Sequence, residues 1–471
     1  VTIVIDSFSF QTLSFQQKQG TLIFYSVEEK HIRNYRIENI AVNSIFDKLP
    51  ESEKIYTAMA TSLTIAAIAT PFKENIGQIF LLLGAILCIF SSKRLNEKRN
   101  SYWMAVSSIG LIMWGTISTL AISGQFNPAL SFRLWKYTLT AALILRFMWL
   151  SREHARQIVS SILISATATA LAIFSLAPQF WNERYTEFAG GMFNGGAPNV
   201  FPTIWAIIAV LGAAYVTLYD SSKEINVENK RGWLKETRLK AAILFCFALF
   251  ATGSGQSRAA LGVVITGFVI IAIMKTSWRI ILGGLLIITL TLTLVPRLRI
   301  IPEGQNNSYY FRYETSRIAF KIARDHPIFG SGPKTYRENF MKIYGKRLMG
   351  FNPRCANNFY TTVLAEQGIP GLLLLLSLIW FTAKELWERG NNDLWSKMVF
   401  VAFIAYLAGG IVLDNRFLAV KSGMIMILLM ATTKPVATTK PVATTKTASL
   451  PHPSFGNSSN KKISPATQYK P

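Results

Sequence analysis

The chain has 471 residues, with 49 Lys and Arg against 25 Asp and Glu for a formal charge of +24; 51% of residues are hydrophobic and 16% charged. The apolar residues collect in runs of roughly 16–22, the length that crosses a bilayer. That distribution excludes an ordinary soluble enzyme. No RNA- or DNA-binding motif accompanies the charge, so a nucleic-acid partner is not expected; membrane orientation and anionic lipid at the inner face account for much of it.

Residues 1–55 are polar and mixed, and the alternation in VTIVIDSFSF predicts a short strand. This piece has no basic start followed by an apolar core, so it reads as an N-terminal cytoplasmic extension rather than a signal peptide. Apolar segments then recur near 56–72, 77–92, 101–123, 134–150, 157–177, 201–219, 241–256, 259–275, 279–295, 358–383, 397–413 and 417–432. A backbone in lipid must satisfy its own hydrogen bonds, so these segments are expected to be helices. The expected fold is an all-α membrane protein with about twelve transmembrane helices. They span a domain over 56–432 that carries one large extracytoplasmic loop, 296–357. Residues 431–446 read ATTKPVATTKPVATTK, a six-residue repeat. With the remainder of 433–471 it lacks the apolar content to offset ordering, which predicts a disordered cytoplasmic tail.

Charge placement fits both termini inside. On that orientation the inner loops hold seventeen Lys and Arg, and the short outer loops and span ends hold six. The 296–357 loop then lies outside. Its twelve basic minus four acidic residues leave +8. Segments this long cross largely regardless of charge, so its basicity calls for another cause. A grip on an anionic, lipid-linked substrate is such a cause. Of three cysteines, Cys88 and Cys246 fall in spans and only Cys355 is outside, which implies neither a disulfide framework nor a metal cluster.

Within the loop, Phe311, Thr315, Ile318 and Ile322 recur at helical spacing, and Arg317, Lys321 and Arg324 recur on another face. This predicts an amphipathic helix lying at the membrane surface or over the bundle. Pro327 ends it, Gly330, Gly332 and Pro333 form a turn, and a second short helix over 335–349 follows.

The residues able to carry chemistry are few. Arg258 follows GSGQS at the outer mouth of a span; it either snorkels to the interface or clamps phosphate, for which its planar fork is suited. Arg312 and Arg317 are five apart on the loop helix and project in different directions, toward the bundle or toward headgroups. Arg146, near the inner end of the fourth span, reads as snorkelling. His326 is a general base or a helix C-terminal residue. Glu366, an acid inside the tenth span, is a functional candidate by default or the partner of an arginine. The glycine-rich FAGGMFNGGAPNVFP (188–202) is a re-entrant loop or a backbone approach to an anion. With four histidines in the chain and no HExxH, DxD, Walker A or GxSxG pattern, neither a metal nor a cofactor is expected, and an arginine-based mechanism fits.

Taken together, RYETSRIAFKIARDHPIFGSGPKTY (312–336) and NNFYTTVLAEQGIPGLLL (357–374) resemble the paired signature of the O-antigen ligase and O-antigen polymerase superfamily. Arg312 stands fourteen residues before His326, the spacing that members show ahead of an HPxxGxGP turn. Glu366 and Gly368 match the family's Ala-Glu-x-Gly. SRAALGVVI (257–265) is similar to its Ser-Arg span start, and FNGGAPNVFP (193–202) resembles its Asn-Pro-Asn loop. The resemblance covers roughly 185–375. It implies a bacterial inner-membrane glycosyltransferase active at the extracytoplasmic face. Such an enzyme moves a glycan from a polyprenyl-diphosphate-linked oligosaccharide to lipid A core or to another glycan, without metal. By position Arg258 and Arg312, with Arg317 assisting, would bind the donor diphosphate, the leaving group.

The chain departs from the family at one point. Ligases carry a His before Asn-x-Tyr, expected to activate the acceptor hydroxyl; here Asn357 takes its place. An amide orients a hydroxyl but does not accept its proton, so Glu366, Asp325 or His326 would have to act as base. The departure favours a polymerase or a changed acceptor over a ligase. Two other readings stand beside these: a small-anion transporter, since superfamily relatives include bicarbonate transporters, and an inactive member.

Overall fold

The computed structural model describes residues 2–4, 12–18, 21–26, 51–72, 74–91, 99–148, 150–176, 200–218, 230–254, 257–275, 283–284, 308–344, 356, 358–391, 393–409 and 421–433. At the N-terminus β1 (Thr2–Val4), β2 (Thr12–Lys18) and β3 (Thr21–Ser26) form an antiparallel sheet in the order β1-β2-β3, with Lys18 opposite Thr21. The strand expected in VTIVIDSFSF is β1.

The other described elements are helices. α1 (Glu51–Phe72), α2 (Glu74–Ser91), α3 (Arg99–Ser123), α4 (Pro128–Phe147), α5 (Arg152–Leu176), α6 (Val200–Leu218), α7 (Lys230–Ser254) and α8 (Arg258–Lys275) lead to the loop helices α9 (Ser308–Asp325) and α10 (Tyr336–Tyr344). Then come α11 (Phe359–Gly390), α12 (Leu394–Gly409) and α13 (Lys421–Ala431). These helices coincide with eleven of the twelve expected apolar segments; all of 279–295 but residues 283 and 284 lies outside the described residues. Among the described residues four helical stretches are long and apolar enough to cross a membrane: Tyr102–Ser123, Arg152–Ala172, Phe201–Leu218 and Phe359–Gly390. Residues 434–471, the expected tail, lie outside the described residues.

Exposure marks the lipid-facing side. The exposed apolar side chains include Ile76, Ile79, Leu83, Ile86 and Phe90 on α2, Val106, Ile109, Met113, Ile117 and Leu120 on α3, and Ile369, Leu373, Leu376 and Trp380 on α11. Each set recurs every three or four residues, a continuous apolar stripe on one face of its helix. Stripes of this extent are unfavourable in water and match a hydrocarbon solvent. The chain is a membrane protein. α13 is buried on every side and sits at the centre, beside α1, α4 and α6.

α3 and α11 position the loop. Trp103 stacks on Phe381 with ring centroids 6.0 Å apart, Gly110 lies against Leu374, and the Trp114 indole Nε1 donates to the Gln367 carbonyl at 2.8 Å. Numbers rise along one helix as they fall along the other, so the pair is antiparallel. At the far end of α11, Arg389 is 2% exposed. Its Nε donates to Glu385 Oε1 at 2.9 Å, its Nη1 to Thr433 Oγ1 at 2.9 Å, and its Nη2 to the Leu145 carbonyl. One guanidinium thereby ties α11 to the end of α4 and to the residues after α13.

Candidate functional site

α9 has the two faces its sequence predicts. Thr315, Ile318, Ala319 and Ile322 are buried, while Arg317, Lys321 and Arg324 are exposed. The buried face joins Tyr336 and Phe340 of α10, Ala356 and Ala365 in a small apolar core of its own. α9 closes at Asp325, two residues before Pro327. The His326 amide still donates to the Ile322 carbonyl at 2.9 Å, and the Gly330 amide donates to the His326 carbonyl at 3.0 Å. The chain then turns through Gly330 (φ +66°) and Gly332 (φ +96°).

This turn docks on a break in α11. Gly368 leaves helical geometry (φ +67°, ψ −169°) and Pro370 follows. Proline has no amide hydrogen, so the Glu366 carbonyl has no intrahelical partner. The turn and α3 supply what the break removes. The Ser331 amide donates to the Ala365 carbonyl and the Gly332 amide to the Glu366 carbonyl, both at 2.9 Å; the Ile369 amide donates to the Pro327 carbonyl at 2.8 Å. The Ser118 hydroxyl donates to the Phe329 carbonyl at 2.5 Å, and Trp114 stacks on Phe329 with centroids 5.5 Å apart. Backbones meet closely here: a Cβ on Gly330 would lie 2.5 Å from the Gln367 nitrogen, and one on Gly368 would lie 2.6 Å from the Ile328 carbonyl carbon.

The six sequence-derived site residues fall into three groups. Arg312 is half-buried on α9, one turn before Thr315, and the Thr315 hydroxyl donates to the Ala356 carbonyl at 3.0 Å. The Ala356 amide donates to Thr362 Oγ1 at 3.1 Å, and Asn358 caps α11 by accepting from the Tyr360 and Thr361 amides. The structure thus brings Arg312's turn to the residues flanking Asn357. Arg317 binds Glu314 Oε2 through Nε at 3.0 Å and Nη2 at 2.9 Å, with its side chain 60% exposed. Its charge is largely answered locally.

Glu366 and His326 separate. Glu366 is 8% exposed, and its Oε1 accepts from the Tyr336 amide at 3.4 Å, at the start of α10. A carboxylate there meets first-turn amides and the positive end of the helix dipole. His326 is exposed at the end of α9. The third group lies beyond description. Arg258 is the first residue of α8, whose start is held by the Ser257 hydroxyl accepting from the Ala260 amide at 3.3 Å, but its side chain is outside the described residues. So are Asn357, Cys355 and residues 188–199. Among the described residues no three His, Cys, Asp or Glu side chains gather as a metal site.

Sequence reasoning missed Ser118, Trp114 and Tyr336. The signal for the first two was the Gly-x-Pro inside an apolar span, which announces a broken helix whose carbonyls need outside donors. No curated protein matches the chain. A family match exists for part of it: residues 241–376, which include α8, both loop helices and the break in α11, fit the family model described as O-Antigen ligase. Over this segment the chain is similar to O-antigen ligases.

Proposed function

We propose that this protein transfers a glycan from a polyprenyl-diphosphate-linked donor at the outer face of a bacterial inner membrane, extending or attaching an O-antigen-type polysaccharide. The observation that carries the reading is the docking of the HPIFGSGP turn on the α11 break. It sets α9, with half-buried Arg312, against the entrance of α11. A site that must align a membrane-held donor with an acceptor benefits from such fixed geometry. The twelve-helix topology with the loop outside belongs to the same proposal.

In the reaction an acceptor hydroxyl oxygen attacks the anomeric carbon of the donor glycan. The bond from that carbon to the diphosphate oxygen breaks, and the electron pair leaves with polyprenyl diphosphate. Arg258 and Arg312 hold the diphosphate and stabilise its added charge; Arg317, paired with Glu314, assists at the edge. Asn357 orients the acceptor hydroxyl. Its proton passes to solvent: His326, about 21 Å along α9 from Arg312 by helical rise, does not reach that hydroxyl, and Glu366 is committed to the start of α10.

The test is incubation of purified protein with a polyprenyl-diphosphate oligosaccharide, with and without a lipid A core acceptor. Chain lengthening without core identifies a polymerase, and core-dependent transfer a ligase. No transfer under either condition rejects the reading and leaves anion transport, which flux assays in vesicles would register.

A further inference from the structure

Four hydrogen bonds, two within the loop and two from it to α11, close into a circuit. Glu366 on α11 accepts from the Tyr336 amide at 3.4 Å, and the Tyr336 hydroxyl donates to the Thr315 carbonyl of α9 at 2.6 Å. The Thr315 hydroxyl donates to the Ala356 carbonyl at 3.0 Å, and the Ala356 amide returns to α11 at Thr362 Oγ1, 3.1 Å. Thr362 and Glu366 are one helical turn apart, so the path starts and ends on the same face of one helix. Tyr336 is fully buried, and so is Thr315. The Thr315 hydroxyl also lies 3.0 Å from the Arg312 carbonyl, between that turn and the Ala356 carbonyl.

We infer that Tyr336 and Thr315 are positioning residues for transfer: through this circuit they fix the Arg312 turn of α9 relative to the capped start of α11. The inference rests on the proposed glycan transfer. Its physical content is alignment. An arginine anchored to the α11 entrance keeps the leaving diphosphate in line with an acceptor arriving there, and small misplacements of reacting groups are costly in rate. Neither residue touches substrate. The hydroxyls of both are the working atoms, because each joins two segments that are distant in sequence.

Thr315→Val, Thr315→Ser and Tyr336→Phe test it in the purified full-length protein, with a polyprenyl-diphosphate oligosaccharide as donor. Thr315→Val and Tyr336→Phe are expected to lower kcat about tenfold with the donor KM within about twofold, the signature of lost alignment rather than lost binding. Thr315→Ser, which keeps the hydroxyl, recovers the rate. Amide exchange of the 356–363 peptide should rise in Thr315→Val and Tyr336→Phe and stay at the wild-type level in Thr315→Ser. Unchanged kcat in Thr315→Val overturns the positioning role, as does a loss that Thr315→Ser shares. A wild-type protein inert with every donor overturns the transfer reading and the positioning role together. Unchanged exchange in an active Thr315→Val protein overturns the positioning role alone.

Discussion

Gly330→Ala probes the docking of the loop on α11 at its tightest point. Two costs add. Alanine in the left-handed conformation that Gly330 holds costs about 1–2 kcal/mol. Its Cβ would also stand 2.5 Å from the Gln367 nitrogen and 2.6 Å from the Glu366 carbonyl oxygen. Both are backbone atoms, fixed by their helix, so the turn must lift. Lifting breaks the bonds from Ser331 to Ala365, from Gly332 to Glu366 and from Ile369 to Pro327, each worth about 1 kcal/mol net. The total, roughly 4–5 kcal/mol, shifts the docked turn toward the open state by about three powers of ten. Gly124→Ala is the control: its φ is +67° with nothing within 4 Å of the added carbon, so it carries the strain alone. Amide exchange of the 326–334 and 365–371 peptides in detergent-solubilised protein reads the docking. Glycan transfer reads its consequence. Wild-type protection of both peptides in Gly330→Ala would refute the reasoning, whatever the activity.

Three further outcomes are expected. Arg258→Ala and Arg312→Ala each lower transfer about 10²–10³-fold by removing charge stabilisation from the leaving diphosphate, while membrane insertion is unchanged; normal polysaccharide from both variants would end the clamp assignment. His326→Ala and Glu366→Gln, which keeps an acceptor for the Tyr336 amide, both stay within a few-fold; a loss of about 10²–10⁴-fold in either would make that residue the general base. Arg389→Met removes one partner of a buried pair and costs about 3–5 kcal/mol, seen as a lowered thermal midpoint, with most of it recovered in Arg389→Met/Glu385→Met; a single variant as stable as wild type would contradict the burial argument.

Local patterns were readable in the sequence. The buried and exposed faces of α9 follow from residue spacing, and its end follows from Pro327. The break in α11 was written in Gly368 and Pro370, but what fills it was not. Its donors come from Ser331 and Gly332, more than thirty residues upstream, and from Trp114 in another span. No periodicity links such positions. Polarity alone left two places open. The apolar segment ends at residue 383, yet the helix continues to Gly390, with Arg389 and Glu385 answering each other inside the bundle. Glu366 read as a candidate base because an acid at membrane depth invites that reading; only the fold brings the Tyr336 amide to it. The arginines were named by type and spacing alone, and Arg312's place beside Ala356 depends on Thr315, which the pattern marked merely as a buried position.

The break in α11 has a consequence for biogenesis. Its three carbonyls at Ala365, Glu366 and Gln367 are satisfied by groups made earlier in synthesis, on α3 and on the turn after α9. The first half of α11 therefore matures only against a preformed template, and the loop acts as that template. Grafting a short linker in place of 326–333 would strand polar groups of a membrane helix with no water to receive them. Chimaeras among related proteins should exchange the turn, the break and the facing stretch of α3 as one unit, because each was shaped by the other two.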